Sequence, residues 1–124
     1  ITLEEIENNY RSMVELAHQH GINVVFASIM PISDYNKNAQ GNPIVRSTQR
    51  RPEQIAALNE WIKKYSTERK LVYLDYFSPM ADDKGFLKAE LANDGLHPNA
   101  KGYELIKPLA EAAIKTALKM KSPK

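Results

Sequence analysis

Two short apolar runs set the narrowest limit on what this chain can become. Each follows a helical pattern and each is closed off by turn-forming residues. The first runs from Ile22 to Met30, between Gly21 and Pro31. The second runs from Leu71 to Phe77. Both are apolar along most of their length, as expected for buried parallel strands covered by helices on two faces. The order helix, strand, helix, strand, helix predicts an α/β layer architecture. Two strands make a very small sheet, so the chain either exposes strand edges or borrows sheet from elsewhere. The expectation is a single domain over residues 1–124 whose N-terminal strands are missing. Ile1 is not a methionine, which points the same way: processing or truncation upstream.

The helices have readable signals. Thr2-Leu3-Glu4-Glu5 has the spacing of a capping box. Ile6, Tyr10, Met13, Val14 and Ala17 recur at helical spacing, and Gly21 suits a helix stop. These predict a helix from about Leu3 to His20. Pro52 suits the first turn of a second helix, with Ile55, Leu58, Ile62 and Tyr65 as its apolar stripe and Trp61 beside it. A last helix is predicted from about Ala100 to Lys119, kinked or split at Pro108, which lacks an N–H and crowds the preceding turn. Between the first strand and second helix, Pro31 to Arg51 has no steady period. A loop of roughly 20 residues is longer than most structureless connections, and such loops are often functional. A short helical turn is expected around Phe86 to Leu91.

Composition excludes several classes. The 17 basic and 15 acidic side chains give a formal charge of +2. This is too even to argue for nucleic acid or an anionic membrane surface. There are no cysteines. That removes disulfides, thiolate metal sites and cysteine nucleophiles, while leaving the compartment open, a secreted or periplasmic one included. No apolar run approaches the ~20 residues that span a bilayer, and no secretory leader is recognisable.

The segment that carries chemistry is Asp94-Gly95-Leu96-His97-Pro98-Asn99. In a tight turn, the spacing of three lets the Asp94 carboxylate reach Nδ1–H of His97, leaving Nε2 free to accept a proton. Pro98 disfavours helical backbone at His97. Gly95 permits an unusual turn conformation. Asn99 can cap the helix that follows. The spacing alone is equally compatible with Asp94 simply holding a histidine at a helix start.

The surrounding text adds a resemblance. Asp94 to Asn99, followed by Gly102-Tyr103, closely resembles the last sequence block of the SGNH (GDSL-type) hydrolases. Gly21 to Val25, leading to Met30-Pro31, resembles the strand and proline after that family's third block. Arg51 to Ile55 with Leu58 to Trp61 resembles a helix of many bacterial GDSL-type acylhydrolases, and Leu74-Asp75-Tyr76 resembles the strand before the catalytic loop. The resemblance covers nearly the whole chain in the expected order. It implies a three-layer α/β/α, flavodoxin-like fold, and hydrolysis of an ester or thioester without a metal or other cofactor. The substrate would be a small carboxylic ester, with O-acetylated carbohydrates and lysophospholipids in the family's range. Asp94 matches the triad acid and His97 the general base.

The family's nucleophile lies in a Gly-Asp-Ser motif, and its oxyanion donors include the Asn of a Gly-x-Asn-Asp motif. Neither motif occurs here. Ser12, Ser28, Ser33, Ser47, Ser66, Ser78 and Ser122 all lack the context. The resemblance therefore implies a missing N-terminal segment, or another chain, that completes the sheet and brings the serine. Losing a single oxyanion donor costs about 3 kcal/mol, so these 124 residues alone are expected to be inactive. The alternative is a non-catalytic binding module derived from the same fold.

Other residues admit a structural or a functional reading. His18 and His20 fit a helix C-terminus, where cationic side chains are favourable, or a metal site with His97 or Asp94; the first is preferred and no metal is expected. Arg46, Arg50 and Arg51 form a charged rim or recognise an anionic group. Tyr35 and Asn36, in the long loop, are candidate substrate-binding residues because the family's loop lies near its pocket. Trp61 is read as core packing, and Tyr103 as packing the last helix on the sheet. Asp75 either caps a strand end or orients the histidine loop.

Overall fold

The computed structural model describes residues 1–123. Its elements in chain order are α1 (Leu3–Gln19), β1 (Val25–Ala27), α2 (Pro52–Arg69), β2 (Val72–Leu74), α3 (Phe77–Met80), a 3-10 turn (Ala89–Leu91) and α4 (Ala100–Lys119). The capping box forms as expected: the Thr2 hydroxyl accepts the Glu5 N–H, and the Glu5 carboxylate accepts the Thr2 N–H. Gly21, at φ +70°, ends α1. The Ile22 N–H bonds the Ala17 carbonyl and the Gly21 N–H bonds that of His18, so two end carbonyls of the helix are satisfied.

β1 and β2 pair in parallel, with Val25 opposite Val72, Phe26 opposite Tyr73 and Ala27 opposite Leu74. Alternation along the strands divides the core in two. Phe26 and Tyr73 join Val14, Leu58, Ile62 and Tyr65 beneath α1 and α2. On the other side Met80, Leu87, Leu91 and Ala92 gather around Ile106 of α4. The result is a three-layer α/β/α arrangement around a two-stranded sheet. Trp61 is half-buried, stacked on Tyr65 at 4.7 Å between ring centroids, with the Arg11 guanidinium over its ring.

Four sequence expectations are corrected. The strands are three residues each, shorter than the runs Ile22 to Met30 and Leu71 to Phe77. Side chains take over the flanking backbone. Asn59 donates to the Ile29 carbonyl and accepts the Ile29 N–H, acting as a strand partner in miniature. The Ser28 hydroxyl accepts both the Tyr76 and Phe77 N–H groups, which bends the chain into α3. Second, α4 is not split at Pro108. The carbonyl deprived of its partner belongs to Glu104, an exposed residue that water can reach. Third, Met13 is 64% exposed, on the flank of the Ile6–Tyr10–Val14 stripe. Fourth, Tyr103 is 58% exposed; Gly102, Ile106, Ala113 and Ala117 form the buried face of α4 instead.

The loop from Pro31 to Arg51 has no helix or strand but is cross-braced. Asp34 accepts the N–H groups of Arg46 and Ser47 and the Ser47 hydroxyl. Asn38 accepts the N–H groups of Gln40 and Asn42.

Candidate active site

The loop between the 3-10 turn and α4 is fixed at both ends before it presents any chemistry. Ala92 and Pro98 pair across it as an isolated antiparallel bridge. Asn99 caps α4 through the Gly102 N–H at 3.1 Å, and its amide donates to the Glu90 carbonyl at 2.9 Å. Gly102 lies so close to the Leu91 carbonyl that a Cβ would stand 2.7 Å from it. The helix start and the loop are therefore one rigid piece.

Within that piece, Asp94 organises the turn. Its Oδ1 accepts the backbone N–H of Leu96 at 2.9 Å and of His97 at 2.8 Å. Its Oδ2 lies 2.6 Å from Nδ1 of His97. An ionised carboxylate only accepts, so Nδ1 carries the proton and Nε2 is left as an acceptor. The three bonds hold Asp94 below the ordinary carboxylate range, the His97 side chain contributing most and burial opposing. The side chain of His97 is 73% exposed and that of Asp94 31%. An oriented, accessible imidazole backed by a carboxylate can take a proton from an alcohol and return it to a leaving group.

The turn is docked onto the segment that follows β1. Gly95, at φ +75°, passes over Ser33, whose N–H donates to the Gly95 carbonyl at 2.9 Å. A Cβ at Gly95 would come within 2.2 Å of the Ser33 carbonyl oxygen. The pair thus sits beyond the C-terminal end of β1, the end where open α/β sheets bind ligands. Arg46 adds a link that no sequence spacing announces: its Nε donates to the Asp94 carbonyl at 2.9 Å, and its outer nitrogen lies 3.5 Å from Asp94 Oδ2.

The remaining candidates do not touch the Asp94–His97 pair. The Tyr35 hydroxyl donates to Asp82 at 2.6 Å, and its ring meets Phe86 edge-on. The Asn36 amide donates to the carbonyls of Ala89 and Ala92, at the base of the turn. His18, near the N-terminal ends of the strands with Val24 and Leu71, faces Arg69 at 3.3 Å. His20 is the C-cap of α1. Among the described residues no three His, Asp or Glu side chains converge as metal ligands. Asp75 accepts the Ser78 N–H, in the first turn of α3. A cavity of about 460 Å³ beside the turn is lined by Leu96, Met30, Ile32 and Ile55, with Arg50 and Arg51 along it. No helix among the described residues is long and apolar enough to cross a membrane.

An exposed imidazole oriented by the carboxylate three residues earlier, on a capped turn beyond the strand ends, is also where a family model aligns. Residues 1–105 match that of the GDSL-like lipase/acylhydrolase family. The chain belongs to this family. Solved structures agree with the assignment. A proposed acylhydrolase from Bacteroides fragilis superposes with a TM-score of 0.80 at 28% identity, over 95% of this chain and 54% of its own. A GDSL-like lipase from Bacteroides thetaiotaomicron does so with a TM-score of 0.79 at 27% identity, over 94% and 54%. The esterase domain of a zebrafish retrotransposon ORF1 protein shares the fold alone, with a TM-score of 0.69 at 20% identity over 94% and 61%. The chain therefore spans about half the length of these GDSL-type structures. No curated protein matches it.

Proposed function

We propose that this chain supplies the acid and base of a serine-dependent ester hydrolase, with Asp94 and His97 in those roles. The single observation that carries the reading is the 2.6 Å contact between Asp94 Oδ2 and His97 Nδ1 in a chain of this family. In the reaction, Nε2 of His97 takes the proton of a serine hydroxyl as that oxygen attacks the acyl carbon. The ester's alcohol leaves with that proton. Water then attacks the acyl-enzyme, again through Nε2, releasing the acid and restoring the serine. Asp94 remains ionised and keeps the imidazole in one tautomer.

The serine lies outside these 124 residues in this reading. The seven serines present lack the family's motif. Among the described residues each strand of the small sheet keeps one edge unpaired, and Tyr103, Ile114 and Leu118 leave apolar surface exposed along α4. A further segment completing the sheet would cover such surface and bring the nucleophile. The substrate class is a carboxylic ester, O-acetylated carbohydrates and lysophospholipids included. Tyr35 and Asn36 stand as its candidate contacts.

A fluorophosphonate probe, which labels activated serines, tests this. The full-length chain is expected to take one label and the 124-residue chain none. Labelling of the 124-residue chain would contradict the placement of the serine, and absence of label in both would favour the non-catalytic binding module.

A further inference from the structure

We propose that Arg46 is a positioning residue for the Asp94–His97 pair, an inference that rests on their reading as acid and base. His97 is mostly exposed, and its side chain is tied to Asp94. Where the imidazole points therefore depends on where the carboxylate is held. The Leu96 and His97 N–H groups hold its Oδ1 from within the turn, and two groups from the long loop hold the turn itself. Ser33 fixes the Gly95 carbonyl from one side. Arg46 grips Asp94 twice from the other, through its main-chain carbonyl at 2.9 Å and through Oδ2 at 3.5 Å. Oδ2 is the same oxygen that faces His97.

Arg46 is itself anchored. Its own N–H donates to Asp34 Oδ1 at 2.6 Å, and Ser47 locks the other oxygen of Asp34 at 2.6 Å. Its stem passes within 3.5 Å of where a Gly95 side chain would begin. A relay of fixed contacts thus runs from Asp34 through Arg46 to Asp94 and His97. The guanidinium suits this task because a planar fork can serve a carbonyl and a carboxylate together. A lysine ammonium on a flexible stem keeps the charge but loses the fork. Arg50 and Arg51 share none of these contacts and are exposed beside the cavity, so Arg46 is set apart from the rest of the charged rim.

The test compares Arg46→Met and Arg46→Lys in the full-length chain with two readouts. One is the far-downfield proton resonance of His97 Nδ1–H, assigned by its loss in His97→Gln. The other is the separation of kcat from KM on p-nitrophenyl acetate. Arg46→Met is expected to broaden the resonance and to lower kcat about tenfold or more with KM little changed, since a displaced catalytic group costs rate rather than binding. Arg46→Lys is expected to fall between. A sharp, unshifted resonance with unchanged kcat in folded Arg46→Met would overturn the proposal. Should Arg46→Met unfold by circular dichroism, the same criterion applies to Arg46→Lys. Loss of the resonance in a full-length chain that hydrolyses no ester would leave the positioning role standing and remove the esterase reading instead.

Discussion

The two carboxylate oxygens of Asp94 divide their work: Oδ2 faces Nδ1 of His97 at 2.6 Å, and Oδ1 accepts the backbone N–H groups of Leu96 and His97 at 2.9 and 2.8 Å. One oxygen builds the turn and the other orients the ring. Ring orientation and local folding are therefore coupled in a single side chain, and acid should disturb both. The folded-state pKa of Asp94 is depressed, first by the His97 side chain and then by the backbone donors. Its stabilisation is thus present above the unfolded carboxylate value of about 3.9 and is lost as pH falls toward the folded value. Asp94→Asn should lose Tm less steeply than wild type between about pH 5 and pH 2. Some slope should persist, because the Ser47 hydroxyl also holds Asp34 below its usual range. Equal slopes in the two chains would show that Asp94 is not held as described.

Gly95 and Gly41 both have positive φ, at +75° and +81°, but only one is crowded. A Cβ at Gly41 meets nothing within 4 Å, whereas at Gly95 it would overlap the Ser33 carbonyl. Gly41→Ala should cost only the left-handed backbone term, roughly 1–2 kcal/mol. Gly95→Ala adds the clash and should cost clearly more in urea unfolding. It should also perturb the His97 ring signals, since the turn must lift from Ser33. Equal costs at the two positions would contradict the docking of the turn on the long loop.

The Asn99 side chain couples α4 to the preceding segment through three bonds: its oxygen accepts the Gly102 N–H, and its amide donates to the Glu90 carbonyl and to Asn93 Oδ1. Asn99→Ala removes the cap and the tie to Glu90, and should lower stability by about 1–2 kcal/mol. Asn99→Ser keeps a capping oxygen but not the amide donor, and should recover part of the loss. Full recovery by serine would mean that the amide's bonds to Glu90 and Asn93 contribute little.

What the sequence disclosed was local. The capping box at Thr2, the stop at Gly21, the Ile55–Leu58–Ile62–Tyr65 stripe and the Asp94–His97 pair all lie within a few residues of their partners. The contacts that could not be read cross the chain. Arg46 reaches Asp94 over 48 residues, and Asn59 closes the end of β1 over 30. Neither residue type carries a signal that names so distant a partner. Strand length failed for the same reason, because Ser28 and Asn59 side chains decide where pairing stops. Periodicity marked Met13 as apolar, and the resemblance marked Tyr103, but neither said what would cover them.

The most direct measurement is kcat/KM on p-nitrophenyl acetate for the full-length chain with and without His97→Ala. If His97 is the general base and Asp94 its orienting acid, the substitution lowers the value roughly a thousandfold or more, as expected when the base of a triad is removed. A His97→Ala chain that folds normally and keeps its hydrolysis within about tenfold of wild type would contradict the account.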